Sequence, residues 1–135
     1  MSVGDIGICG DYTYGVTTDL SGSQYCAVTY ATGQLVVLST TNDEAIGLLQ
    51  DNPNGQLNKL YDGSFKPTVG LVREHGHSKA KMASSGSDGA FLKVVDSSGR
   101  LGTGSLGGAD KIVAQALSSW SADNDVIEVR LVHNY

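Results

Sequence analysis

Proline, cysteine and positive charge are scarce in this chain. It has two prolines, two cysteines and nine Lys or Arg side chains among 135 residues. So few basic groups argue against wrapping nucleic acid, because phosphate binding needs a positive footprint, and no direct nucleic-acid partner is expected. No window reaches the roughly 18 uninterrupted apolar residues that would span a bilayer, and no membrane association is expected. The opening residues, Met1-Ser2-Val3-Gly4-Asp5, lack a basic stretch followed by an apolar run, so no secretory signal is expected. Without an export signal, Cys9 and Cys26 are expected as two reduced, partly buried thiols and not as a disulfide.

Glycine is abundant, at 18 residues, and is scattered among Ser, Thr, Asn and Asp without a collagen-like period. That composition implies many tight turns between short segments and favours β structure over helix. The length is that of one domain able to bury its own core. Charge is unevenly spread: the first 58 residues hold six acids and no Lys or Arg, whereas the remainder holds nine basic and eight acidic side chains, giving −5 in all.

Residues 1–34 read as a Gly/Tyr-rich N-terminal arm or first hairpin, holding Tyr12, Tyr14, Tyr25 and Tyr30. Within it a strand is expected from Ser23 to Tyr30, with Tyr25, Ala27 and Thr29 on one face. Residues 35–135 read as the main domain. Leu35 to Leu38 and Ala45 to Gln50 are short apolar runs that fit covered strands. Turn chemistry separates them at Thr40-Thr41-Asn42-Asp43 and follows at Asp51-Asn52-Pro53-Asn54-Gly55. Thr68 to Glu74 and Ser78 to Ala83 alternate as strands, and Ser84 to Gly89 is a polar loop.

Phe91 to Asp96 is a strand that ends in a hairpin-type turn, Asp96-Ser97-Ser98-Gly99, and hands over to Arg100-Leu101. Gly102 to Gly108 reads as a flexible loop. Lys111 to Leu117 fits either a strand or one short helical stretch. Asp125 to His133 is the clearest strand, with Ile127, Val129 and Leu131 opposite Glu128 and Arg130. Short strands at roughly 8–12-residue spacing imply an all-β domain, either a small antiparallel β-barrel or a β-sandwich with Gly-rich loops.

The chemical inventory is thin. Gly102-x-Gly104-x-x-Gly107 with Asp123 downstream matches the dinucleotide fingerprint only on paper, since that motif needs a strand entering and a helix leaving it. Glu74, His75 and His77 offer a minimal zinc set if both imidazoles share a face; histidines in a surface turn are the plainer reading, and His133 has no distinctive partner. Neither Cys9 nor Cys26 stands in a nucleophile motif, and Ser105 has Thr103 where an elbow needs glycine. Asp123 and Asp125 read as turn-formers, not as an acid/base couple. Arg73, Lys79 and Lys81 form a modest basic patch, or they block edge pairing of exposed strands. No catalytic, metal-ligating or cofactor-binding residue is assigned, no cofactor is expected, and the chain is not expected to be an enzyme.

Three stretches carry a resemblance. The first is Leu35-Val36-Val37-Leu38 followed by Ala45-Ile46-Gly47-Leu48-Leu49-Gln50-Asp51-Asn52-Pro53. The second is Phe91 to Leu101, including Asp96-Ser97-Ser98-Gly99-Arg100. The third runs from Ile112-Val113-Ala114-Gln115-Ala116-Leu117 through the Ser118 to Asn124 turn into Val126 to Leu131. Over residues 35–135 the chain resembles the capsid decoration (cement) protein family of tailed double-stranded DNA bacteriophages. It departs from that family's pattern at Ala114 and Asn124, where glycine is usual, and at His75-Gly76-His77 in place of a Gly-rich turn. Residues 1–34 match no part of it, and no contact residue is carried over.

The resemblance implies a virion structural protein on the outer capsid surface, made in the host cytoplasm. Its partner would be the major capsid protein, and it would be a homo-oligomer, with a trimer favoured. A carbohydrate- or receptor-binding β module displayed on a phage particle, stacking on Tyr12, Tyr14 and Tyr25, is the competing expectation. A small metal-dependent enzyme at His75 and His77 ranks last.

Overall fold

A computed structural model describes residues 11–31, 34–37, 45–53 and 69–134. Cys9, the turn expected at Thr40 to Asp43, and the Asn54-Gly55 end of the following turn lie outside the described residues. Ten strands are present among the described residues: β1 (Asp11–Gly15), β2 (Ala27–Ala31), β3 (Gln34–Val37), β4 (Gly47–Leu49), β5 (Val69–Arg73), β6 (His77–Lys81), β7 (Phe91–Val94), β8 (Leu101–Thr103), β9 (Ile112–Ala116) and β10 (Val126–Asn134). They form two five-stranded sheets with antiparallel ladders, in the orders β1-β5-β4-β2-β3 and β6-β10-β9-β7-β8.

The protein is therefore all-β, with no helix among the described residues. Of the two expected architectures the sandwich is the one adopted; the molecule is not a closed barrel. In the second sheet a single bridge, Met82 to Leu101, joins the two edges at one end without a ladder between them.

The second sheet comes from one continuous stretch of chain, and its sequence pattern is the cause. On β10, Ile127, Val129 and Leu131 are buried while Glu128 and Arg130 are exposed, as period-two alternation requires. β6 alternates in the same way, with Ser78 and Ala80 inward and His77 and Lys79 outward. The alternation fails on β9, where Ile112, Val113 and Ala114 are all buried, beside a bulge between Leu131 and Asn134 of β10.

Lys111 to Leu117 contributes this strand and not the short helix left open by its sequence. Antiparallel partners on both sides, β7 and β10, override a stretch whose local preference is ambiguous.

The turn at Asp96 is built as its residues predict. The Asp96 carboxylate accepts the Ser98 N–H at 2.9 Å, Gly99 takes a φ of 73°, and Val94 pairs with Leu101. The strand β8 runs on to Thr103, so the loop expected from Gly102 starts only after it. A Cβ on Gly102 would lie 2.9 Å from Val95 Cγ1, and the missing side chain is what lets β7 and β8 pair this closely.

Among the described residues two apolar clusters hold the sheets. The larger lies between them and joins Ala27, Ala45 and Leu48 of the first sheet's region to Leu92, Val94, Val113, Val129 and Trp120, among others, of the second. The smaller lies on the other face of the first sheet, where Val28, Leu49 and Val72 meet Val16 and Leu20, with Tyr14 and Ile46 against them. Adjacent residues, Ala27 then Val28 and Leu48 then Leu49, thus enter different cores. The first sheet curls, bringing β1 close to β3, and the rings of Tyr14 and Tyr30 meet at 5.3 Å between centroids.

Candidate functional site: the seam between the sheets

Between β1 and β2 the chain crosses the seam of the sandwich as a strap bonded to both sheets. On the first-sheet side, Leu20 N–H donates to the Pro53 carbonyl at 2.8 Å and Tyr25 N–H to that of Leu49 at 2.6 Å. On the other side, Lys81 N–H donates to the Tyr25 carbonyl at 2.9 Å, and Ala27 N–H to the Gly99 carbonyl at 2.7 Å. Gln24 adds a side-chain bond to the Gln50 carbonyl at 2.9 Å.

This anchoring corrects the strand expected from Ser23. The backbone turns at Ser23 to Tyr25, and β2 starts at Ala27. Tyr25 has a φ of 67°, a left-handed conformation that costs a bulky L-residue roughly 1–2 kcal/mol. The bonds from both sheets hold it there.

A groove opens on each side of the strap. The larger, about 640 Å³, is lined by polar groups that include Asp19, Ser21, Lys81, Ser98, Arg100 and Asn124. Its two cations are already engaged: Lys81 Nζ donates to the Gly22 carbonyl at 3.2 Å, and Arg100 Nε pairs with Asp96 at 2.7 Å. Cys26 lines it as a buried free thiol. Burial pushes that thiol's pKa up, against the pull of Lys81, so at neutral pH it is a poor nucleophile.

The smaller groove, about 330 Å³, lies where the edge strand β6 meets β4 and β5. Tyr25 is part of its lining, together with the polar residues Gln50, His77, Lys79 and Glu128. Gln50 is locked in place, its amide donating to the Leu48 carbonyl and to Ser78 Oγ, both at 2.9 Å. Arg73 grips Asp11 with two bonds, Nε at 2.6 Å and Nη2 at 2.9 Å, and its Nη1 donates to the His77 carbonyl at 3.1 Å. Lys79 stands opposite Glu128 across the β6–β10 ladder.

The groups singled out in the sequence do not converge on one site. The basic patch is divided: Arg73 is ion-paired, Lys79 lines the small groove, and Lys81 lines the large one. Glu74 accepts the Tyr14 hydroxyl, His75 and His77 are exposed around the Gly76 turn, and the His133 side chain lies outside the described atoms. Among the described residues no group of three or more His, Cys, Asp or Glu side chains comes together.

Gly102, Gly104 and Gly107 lead from β8 into a loop and then into β9, not into a helix. Asp123 accepts the Ser84 N–H at 2.6 Å, and Asp125 accepts those of Ser121 and Ala122 at 3.0 and 3.1 Å, so both acids shape turns. Tyr12 and Tyr14 pair with Val72 and Gly70, on the face of the first sheet opposite the one carrying Arg73. Tyr25 lies beside Arg73, so these three tyrosines form no single stacking surface.

The seam itself was not foreseen. Its groups come from separate strands and carry no spacing motif; the only sequence signal is the polar run Ser21-Gly22-Ser23-Gln24 between apolar segments. No family model matches the chain, and no curated protein matches it.

Proposed function

We propose that this chain is a capsid decoration protein, binding the outside of an assembled phage head through the major capsid protein and reinforcing it. The observation that carries the reading is where the three stretches of family likeness lie. Ala45 and Leu48 come from the first, Leu92, Val94 and Leu101 from the second, and Val113, Ala116, Ile127 and Val129 from the third, and all share one core. That the stretches resembling the family meet in one packed core supports a rigid scaffold whose outer surface is the working part.

The physics of such a role asks for a rigid body and adhesive edges, not a reactive centre. A trimer engaging several capsid subunits turns weak contacts into durable ones, because each contact after the first is effectively intramolecular. The outer edge of β6 is occupied by Tyr25, Arg73 and the Ser78 hydroxyl, which discourages indiscriminate strand pairing. Docking by the acidic first half has a narrower basis than its charge suggests. Asp11 is neutralised by Arg73, leaving Asp19, Asp51 and acids outside the described residues.

Quantitative mass spectrometry of purified virions tests the reading. A decoration protein is present in a fixed ratio to the major capsid protein, on the scale of the shell lattice. A handful of copies per particle would instead mark a tail or fibre module and overturn the proposal.

A further inference from the structure

The small groove at the seam combines features that the larger groove does not. Tyr25 is among its lining residues, held in a backbone conformation that glycine or asparagine would adopt with less strain. Gln50, pinned through its nitrogen, presents its Oε1 as an acceptor with a fixed direction. Lys79 supplies donors and Glu128 acceptors, and their charges cancel. At about 330 Å³ the groove sits at the small end of the ~300–1,000 Å³ range of ligand sites.

We propose that this groove binds a neutral pyranose sugar, one ring of a surface glycan. Sugar hydroxyls are each donor and acceptor, which suits alternating Lys79, Gln50 and Glu128. The C–H face of a pyranose is apolar and packs on an aromatic ring such as that of Tyr25. An anion is disfavoured because Glu128 stands beside Lys79 and Arg73 is already neutralised by Asp11. The larger groove lacks an aromatic wall, so a hydroxylated ligand there would gain only hydrogen bonds that water also offers. A single small site of this kind binds weakly, and on a particle carrying many copies it would act by avidity. The site belongs to the isolated chain and stands or falls independently of capsid binding.

The test is saturation-transfer and amide-shift NMR on the full chain. The probes are the methyl glycosides of glucose, galactose, mannose and N-acetylglucosamine at about 10 mM, with a methyl sialoside and inorganic phosphate as the anionic arm. The expected result is saturation transfer to at least one neutral glycoside, with shifts at Tyr25, Gln50, Lys79 and Glu128. Tyr25→Gly should abolish both while keeping the fold, since it relieves the left-handed backbone, and Tyr25→Asn serves if the glycine variant loosens the strap. Glu128→Gln, on an exposed face, should weaken binding about tenfold. No shift with any neutral glycoside, shifts that survive loss of the Tyr25 ring, or binding of the anions alone would overturn the proposal.

Discussion

The two sheets of this sandwich solve burial differently. The second is folded from residues 77–134 without interruption and turns one face toward the shared core. The first is assembled from separated segments and is covered on both faces at β4, with Leu48 in the large cluster and Leu49 in the small one. A strand buried on one side must alternate, whereas a strand buried on both sides has no period to display. The second sheet carries most of the large core, and the first adds a smaller core of its own within its curl.

The largest expected effect comes from truncating the shared core. Leu92→Ala, in the wall of the second sheet, should cost about 3 kcal/mol in urea unfolding, and Leu49→Ala in the small cluster about 2 kcal/mol. Equal or reversed costs would break the ranking of the two cores. Gly86→Ala should follow, at about 2 kcal/mol, because a Cβ there would enter the Trp120 ring, which is held by a bond from its Nε1 to the Ala83 carbonyl at 3.0 Å. Gly22→Ala, facing open space, is the matched control and should be close to neutral.

Asp11→Asn probes the first sheet's link to the β6 edge and should cost up to about 1 kcal/mol, since the pair is only partly buried. Hydrogen bonding from Arg73 holds the Asp11 carboxyl below its ordinary 3.8. Its stabilisation is therefore present above pH 3.8 and lost as pH falls through the lower folded value. The variant should show a flatter acid limb in urea titrations across that window.

The smallest effect is spectroscopic. The bond to Glu74, reinforced by burial, pushes Tyr14 up to about 12 from 10.0. A phenol raised in this way stabilises the fold below pH 10 and loses that contribution as pH rises from 10 to 12. Ultraviolet titration should show a late-titrating phenol that is absent in Tyr14→Phe.

Legibility in the sequence follows the same division. β10, β6 and the Asp96 hairpin were readable because alternation and turn chemistry are local. The apolar runs that became β3 and β4 were readable as strands, but which face each residue took was not, since both faces of β4 are covered. The left-handed turn at Tyr25 is not legible, because nothing in Ser23-Gln24-Tyr25 announces that bonds from two sheets will hold it there. The continuation of β8 through Gly102 is hidden for a related reason: a glycine that permits close packing and one that permits freedom look alike in sequence. The seam grooves were invisible, being products of tertiary crossing and not of any motif.

The proposed capsid role depends on this β framework adhering to a finished shell through its exterior. Purified chain mixed with undecorated, expanded heads of its virus and imaged by electron cryomicroscopy puts that to the test. The account predicts extra density at equivalent lattice positions over the whole head. Bare heads at saturating protein would contradict it.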